Sequence, residues 1–443
     1  MKDYSIQLLN KIKSNKYSVG IIGLGYVGLP LSLLFKEKNT KVIGFDVDLE
    51  KINKIIKSES YINHISSESL LEATSRNFSA TSKFKNIEDC DAIIICVPTP
   101  LNKNREPDLS FVHKTLADIA PYLKKGQIIS LESTTYPGTT EDIIGSFLLD
   151  RGFKVGENFF LAYSPEREDP GNIKFNTSNI PKIISGFSFH CLEIAEALYR
   201  NISNSLYKVS DTKTAELTKL LENIYRSVNI GLVNEMKILS LEMGIDIFEV
   251  IDAASSKPFG FHPHYPGPGI GGHCIPIDPF YLTWKAREYG LNTKFIELAG
   301  EINKNMPVFV LNNLIKALNE SGKPLKNSKI LILGLAYKKN VDDQRESPSI
   351  ELMSLIEKNG GLVSYSDPHI PKFKKMRNFE FNLSSEELNS ETLSTYDAVI
   401  VCTDHDQFDY EMIIQNTDIL LDTRGVYKRG KFANQHYPNL YLS

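Results

Sequence analysis

Two groups of residues in this chain have the types and spacing to do chemistry. The first is Gly23-Leu24-Gly25-Tyr26-Val27-Gly28 with Asp46. The second is Cys274, set in PFGFHPHYPGPGIGGHCIPIDP over residues 258–279. Glycines spaced as 23, 25 and 28 let a backbone turn tightly, approach a pyrophosphate and pack a helix against a strand. A helix starting there offers free N–H groups to phosphate. Asp46 ends the next apolar run. A carboxylate at that place accepts hydrogen bonds from ribose hydroxyls and repels the additional phosphate of NADP. The expected cofactor is therefore NAD, with Lys51 as a neighbouring phosphate or ribose contact.

A long Gly/Pro-rich segment without period is usually a functional loop. Gly271 and Gly272 expose Cys274, and His273 and Asp278 lie close to it in sequence. Such a thiol can act as a nucleophile. Cys90, Cys96, Cys191 and Cys402 fall in or beside apolar strands and a helical stretch, where cysteine behaves as a small hydrophobe. His262, His264, His273 and Cys274 follow no zinc spacing, so no metal is expected.

A thiol beside NAD suggests a particular reaction. An alcohol loses one hydride to become an aldehyde, whose carbon must turn tetrahedral before it can lose another. A thiolate adds to give a thiohemiacetal. A second oxidation leaves a thioester, which water hydrolyses. Asp278 is a candidate for placing that water. Lys219 and Asn223, one helical turn apart, could present a cation and an amide to one oxygen. A solvated or structural pair is the plainer reading of those two.

These groups need elements to hold them. YSVGIIGLGYVGLPLSLLF (17–35) reads as strand, glycine turn and helix. KVIGFDVD, DAIIICVPTP (91–100) and QIISLESTT (127–135) are further strand ends. The series recurs: SKILILGLAYKK (328–339), LVSYSDPHI (362–370, with Asp367 in the place of Asp46), DAVIVCTDHD (397–406) and DILLDTRG (418–425). The fold class is α/β: two doubly wound Rossmann-like domains. Between them apolar residues recur at helical spacing from Leu217 to Leu239. That predicts one helix of about 30 residues, or ~45 Å, starting near Asp211-Thr212 and ending before Gly244. It could be a spine, a dimer surface or simply core. The expected boundaries are 1–205, 206–315 and 316–443. The repeated domain carries Tyr337, Lys338 and Lys339 where the later glycines would stand, so a different anionic ligand, phosphate or pyrophosphate, suits it better than a second NAD.

With 443 residues the chain exceeds one compact core. A formal charge of −4 gives no reason to expect nucleic acid. No apolar run is long enough to span a bilayer. The N-terminus MKDYSIQLLNKIKSNK shows no secretory pattern. Five cysteines without a CxxC pair fit a reducing compartment. A cytoplasmic location is expected.

Taken together, GLGYVGLP (23–30), VPTP (97–100), ESTTYPGTT (132–140), SPE (164–166), AELTKLLEN (215–223), GGHCIPIDP (271–279) and KKNVDDQRESPS (338–349) resemble the UDP-glucose/GDP-mannose dehydrogenase family over nearly the whole length. The resemblance implies four-electron oxidation of a sugar C6 hydroxyl, a dimerising central helix and a C-terminal domain that holds a UDP-sugar. It implies Cys274 as catalytic thiol, Lys219, Asn223 and Asp278 as its polar partners, and Thr134 and Glu166 as residues that place water and substrate. It implies Tyr26, Val27, Pro98, Thr99, Ser133, Thr134 and Arg345 as further NAD contacts. Gly271, Tyr337, Lys338 and Arg424 would meet the nucleotide sugar, along with Glu166, Lys219 and Asn223.

Ile277, where the UDP-glucose branch has lysine, and the Arg167-Glu168-Asp169-Pro170-Gly171 segment look more like the branch that oxidises UDP-N-acetylhexosamines. UDP-N-acetylglucosamine is the favoured substrate, ahead of the galactosamine and mannosamine forms and UDP-glucose. Arg167, Phe261, His262 and Tyr265 could line an acetamido pocket. The product would serve surface polysaccharide synthesis. Two other readings are a one-step alcohol dehydrogenase with a structural Cys274, and an NAD-binding regulatory protein without turnover.

Overall fold

The structure, a computed structural model, describes residues 3–62, 65–102, 104–168, 179–272, 275–376, 379–433 and 435–443. The chain divides into two compact units. One holds residues up to Glu222 and Phe280–Leu291; the other holds Asn223–Pro279 and Asn292–Ser443. The middle stretch, expected as a connecting region over 206–315, contributes to both.

The first unit is built on strands β1 (Ser18–Ile22), β2 (Lys41–Phe45), β3 (Phe78–Thr81), β4 (Ala92–Ile95), β5 (Ile128–Leu131), β6 (Phe160–Tyr163), β7 (Lys182–Gly186) and β8 (Leu206–Lys208). Their order in the sheet is β3-β2-β1-β4-β5-β6-β7-β8. Neighbours run parallel except β6 and β7. β1, β4 and β5 are buried along their whole length, as expected for parallel strands covered on both faces. Val19, Ile21, Ala92, Ile94 and Ile128 share one core with Leu29, Leu31 and Phe35 of the helix Gly28–Glu37. Each such side chain contributes about 1.5–3 kcal/mol on burial.

The second unit repeats the plan with β9 (Lys329–Leu333), β10 (Leu362–Ser366), β11 (Ala398–Val401), β12 (Leu420–Asp422) and β13 (Leu440–Leu442), in the order β10-β9-β11-β12-β13, all parallel. The series β10-β9-β11-β12 matches β2-β1-β4-β5, so the repeat legible in sequence is a repeat of topology. Ile330, Ile332 and Ile400 enter one core layer; Leu331, Leu333, Val399 and Val401 enter the layer on the opposite face.

The helix Thr212–Glu242 has 31 residues, close to the expected length. Asp211 Oδ1 caps it by accepting from Thr214 N at 2.7 Å. It stops just before Gly244, whose φ of +69° places it in the left-handed region. Among the described residues no helix is long and apolar enough to cross a membrane.

Candidate functional site

The dinucleotide cradle lies at the carboxyl ends of β1 and β4, where the strand order reverses direction. Open parallel sheets bind ligands at this kind of place. Gly23 has φ +94°, and a Cβ on it would stand 2.8 Å from Cys96 O. A Cβ on Gly28 would stand 1.9 Å from Gly23 O. A Cβ on Gly25 would meet nothing within 4 Å. The two outer glycines are thus forced by close packing, and the middle one faces open space where a pyrophosphate can approach. Tyr26 packs at the edge of the core, and Val27 precedes the first helical turn.

Asp46, nearly buried, ends β2. It accepts from Leu24 N at 2.9 Å and Asp48 N at 2.9 Å, and Lys51 Nζ lies 3.4 Å from its Oδ2. Lys51 therefore meets the acid itself. Two further loops close the cradle. Thr99 Oγ1 donates to Thr134 O at 2.7 Å, and Ser133 Oγ donates to Val97 O at 2.7 Å. Tyr281 Oη donates to Thr99 O at 2.8 Å. Pro98 is exposed and Thr134 partly so. The expected NAD contacts of this unit fall together, and the residues present fit the cofactor.

Beside them lies a charged cluster. Glu166 follows β6; its Oε1 accepts from Arg167 N at 2.7 Å and Glu168 N at 2.8 Å. Lys182 Nζ stands 2.9 Å from Glu132 Oε2 and 3.6 Å from Glu166 Oε2. Burial alone would push Glu166 up. Lys182, the two N–H groups and Lys219 outweigh it and hold the carboxyl below its ordinary value. Arg167 does not point its donors at an open pocket: Nη2 and Nε meet Glu222 at 2.6 and 3.2 Å, and Nη1 donates to Pro181 O at 2.7 Å. Asp169–Gly171 lie outside the described residues.

Sequence reasoning did not single out Glu132, Lys182, Tyr281 or Glu216. Glu132 opens ESTTYPGTT and Glu216 lies in AELTKLLEN, and an acid at a strand end or on a buried helix face was the available signal. Glu216 takes three donors: Gly138 N at 2.6 Å, Thr140 N at 2.8 Å and Thr140 Oγ1 at 2.6 Å. Burial pushes it up to about 7. Lys182 stands in KIISG, outside every motif read from the sequence.

In the second unit, Asn223 Nδ2 donates to Asp278 Oδ2 at 2.5 Å, both buried. Two of the expected polar partners of Cys274, one on the central helix and one at the end of the cysteine loop, thus meet each other. Gly271 and Gly272 seat that loop on Tyr337: a Cβ on Gly271 would stand 2.8 Å from Tyr337 Cβ, and one on Gly272 would stand 3.0 Å from its ring. Gly272 N donates to Arg345 O at 3.2 Å, while the Arg345 guanidinium engages Asp343 at 2.6–3.0 Å. Lys338 is partly exposed beside Tyr337. Arg424 Nε donates to Cys402 O at 2.7 Å, and its guanidinium closely flanks Gly267. Phe261 packs with Val233, Phe248 and Ile251. Tyr265 Oη donates to Asp252 at 2.6 Å, and His262 Nδ1 lies 3.4 Å from Tyr225 Oη. Cys274 and His273 lie outside the described residues. The four other thiols are free, and burial pushes each up, Cys90 and Cys402 to about 12. That suits the structural role expected of them.

The second sheet does not reproduce the cradle. Ala336, in the place of Gly25, is fully buried and its carbonyl accepts from Thr403 Oγ1 at 2.6 Å. Asp367, in the place of Asp46, accepts from four backbone N–H groups, of Leu335, Ala336, His369 and Ile370, at 2.7–3.1 Å. His405 Nε2 lies 3.1 Å from it, while His405 Nδ1 accepts from Asn340 N at 3.0 Å. An acid so fully engaged has nothing left for a ribose.

This fold and cradle define an NAD-dependent oxidoreductase with two nucleotide-type sheets. Three family descriptions match along the chain: the NAD-binding domain of the UDP-glucose/GDP-mannose dehydrogenase family at residues 17–203, its central domain at 213–305 and its UDP-binding domain at 331–429. The chain belongs to this family, and it is an NAD-dependent nucleotide-sugar dehydrogenase. It is 37% identical to a UDP-N-acetyl-D-glucosamine 6-dehydrogenase of Salmonella typhi, covering 89% of this chain and 91% of that one. It is 36% identical to a UDP-N-acetyl-D-mannosamine dehydrogenase of Methanococcus maripaludis, covering 88% and 86%. Its fold matches a solved UDP-D-ManNAc dehydrogenase of Pyrococcus horikoshii with TM-score 0.84 at 30% identity, covering 96% and 98%.

Proposed function

We propose that the chain oxidises the C6 hydroxyl of a UDP-N-acetylhexosamine to the carboxylate, with UDP-N-acetylglucosamine as the favoured sugar. The relatives named for N-acetylglucosamine and N-acetylmannosamine support the class, and their near-equal identities leave mannosamine the principal alternative. The balance is one alcohol, two NAD and one water giving one carboxylate, two NADH and three protons. Bound NAD supplies the hydride acceptor.

The observation that carries this reading is the buried Asn223–Asp278 hydrogen bond, which holds an amide to the carboxylate four residues in sequence from Cys274. Asn223 orients the Asp278 carboxylate, which places and deprotonates the attacking water. The Cys274 thiolate adds to the aldehyde carbon and later leaves the thioester. Lys219 offers its cation to the developing oxyanion. Thr134 and Glu166 position water and the reacting hydroxyl. Arg345 reaches toward NAD. Tyr337, Lys338, Arg424 and Gly271 hold the nucleotide sugar, and Phe261, His262 and Tyr265 border the acetamido group. Arg167 acts through Glu222.

The chain works as a homodimer in the cytoplasm, supplying surface polysaccharide synthesis. Leu217, Leu221, Leu232, Met236 and Leu239 support the dimer: they leave an apolar stripe on the helix Thr212–Glu242, with Leu221 62% exposed in the single chain.

NADH formed per sugar consumed tests the reaction, across UDP-glucose, the three UDP-N-acetylhexosamines and GDP-mannose. A limiting ratio of two with UDP-N-acetylglucosamine is expected. A limiting ratio of one on every substrate, or unimpaired acid formation by Cys274→Ala, refutes it.

A further inference from the structure

We propose that Lys182 is a positioning residue for Glu166: its buried ammonium, held between Glu132 and Glu166, fixes the Glu166 carboxylate and keeps it charged during turnover. This rests on the reading of Glu166 as the group that places water and substrate.

The topology explains why a lysine from β7 reaches this place. Glu132 follows the carboxyl end of β5, and Glu166 lies three residues past the carboxyl end of β6. A parallel β7 would have put its first residue at the opposite edge of the sheet. β7 instead runs antiparallel to β6, with Tyr163 opposite Ser185 and Ala162 opposite Gly186. Continuing that register sets position 166 opposite 182. The reversal therefore delivers Lys182, the first residue of β7, to the edge where β1 and β4 hold the dinucleotide cradle. Its backbone is pinned there, since Lys182 N donates to Ser205 O at 2.9 Å.

The three charges are graded in depth. The Glu132 side chain is fully buried, that of Lys182 is 4% exposed and that of Glu166 is 13% exposed. Only Glu166 has an edge that a ligand can meet. One carboxylate, Glu132, would suffice to neutralise the lysine. The second, on the exposed side, receives a direction: Oε2 faces the ammonium, and Oε1 is held by the N–H groups of Arg167 and Glu168. A carboxylate with both oxygens engaged cannot swing, and the cation opposes its protonation.

The charged and titratable groups facing the pair are few. Lys182 faces Glu132, Glu166, Cys96 at the end of β4, and the Tyr199 ring 5.2 Å away on the helix Phe189–Arg200. Glu166 faces Lys182 and Lys219. Burial lowers Lys182, but the two glutamates outweigh it and raise it above an ordinary lysine; burial pushes Glu132 up. The directions agree with a permanently charged lysine serving Glu166.

The test compares Lys182→Met, the double variant Glu132→Leu/Lys182→Met, Lys182→Arg and Glu166→Gln in the full chain. Steady-state kcat and KM are measured between pH 5 and 9. In Lys182→Met the acid limb of kcat should move up by about one pH unit or more, so kcat at the old limb falls roughly tenfold. KM for NAD should stay within about twofold, because the cradle residues do not touch Lys182. The double variant removes the fully buried Glu132 together with its cation, so it gives the same reading on Glu166 if the single variant fails to fold. Lys182→Arg should return the limb to its original place. An unmoved limb in whichever methionine variant folds overturns the proposal, even if its melting temperature drops. Wild-type activity in Glu166→Gln overturns the reading of Glu166 and this proposal with it. Lost activity there with an unmoved limb overturns the role of Lys182 alone.

Discussion

Glu216→Gln should change the stability of the protein in opposite directions on the two sides of about pH 5. Glu216 is buried and accepts from Gly138 N, Thr140 N and Thr140 Oγ1, with the Glu141 carboxylate as a neighbouring charge. Burial therefore wins over the hydrogen bonds, and the carboxyl titrates near 7 rather than 4.5. The folded chain holds this proton more tightly than the unfolded chain does. The resulting stabilisation is complete below pH 4.5 and is lost as pH rises through 7. A gap of about 2.5 pH units corresponds to roughly 3 kcal/mol. Glutamine has nearly the same shape and no titration, but one of the two N–H groups then faces an amide NH₂ instead of an oxygen. That costs about 1 kcal/mol at every pH. The variant should be less stable than wild type by about 1 kcal/mol at pH 4, close to equal near pH 5 and more stable by about 2 kcal/mol at pH 8. Melting temperatures should shift by about 2–4 °C per kcal/mol for a unit of this size. Dye-monitored melting of both proteins at pH 4, 5, 6 and 8 reads the crossover. A shift of the same sign and size at all four values refutes the assignment of burial as the dominant cause.

Three further outcomes follow from the geometry. Asp46→Ala removes the strand-end acid, so kcat/KM for NAD should fall by about tenfold to a hundredfold and the preference over NADP should narrow; an unchanged NAD/NADP ratio would falsify the ribose role. Asn223→Ala leaves the buried Asp278 carboxylate without that amide, and acid formation should slow by at least roughly tenfold while NAD affinity holds; the kcat and KM for NAD separate the two. Lys237, whose Nζ donates to Thr423 O at 3.1 Å, is lowered by burial to about 7. The unfolded chain binds that proton more tightly, so its cost is present below pH 7 and fades as pH rises toward 10.5. Lys237→Met should therefore stabilise the protein by on the order of 3 kcal/mol at pH 6, with a margin that shrinks toward pH 10, as melting at the two values will show.

The two sheets were legible because parallel strands buried on both faces read as apolar runs, and the runs at 328–333 and 398–401 copy those at 18–22 and 92–95. The glycine cradle was legible because each glycine answers a steric demand. The extension β6-β7-β8 was not, since nothing in KIISG announces the direction in which a strand will run. For the same reason Lys182 stayed hidden: its position depends on an antiparallel neighbour, not on spacing within a motif. The partners of Arg167 were also beyond sequence, because Glu222 lies 55 residues away and charges of either sign abound on the surface. Asn223 and Asp278 are an intermediate case: each was named for the chemistry expected around Cys274, but their mutual hydrogen bond across 55 positions became visible only in the structure.

The engagement of Asp367 by four backbone N–H groups and His405 leaves one dinucleotide cleft among the described residues. Under the proposed reaction that imposes a timetable. Two oxidations at one carbon must share a single berth, so the first reduced nucleotide has to depart and a fresh oxidised one arrive while the half-oxidised sugar stays aboard. Nucleotide traffic through the first unit, rather than either hydride transfer, then becomes a natural place for turnover to be paced, and a tether on the sugar becomes a necessity of logistics as much as of chemistry.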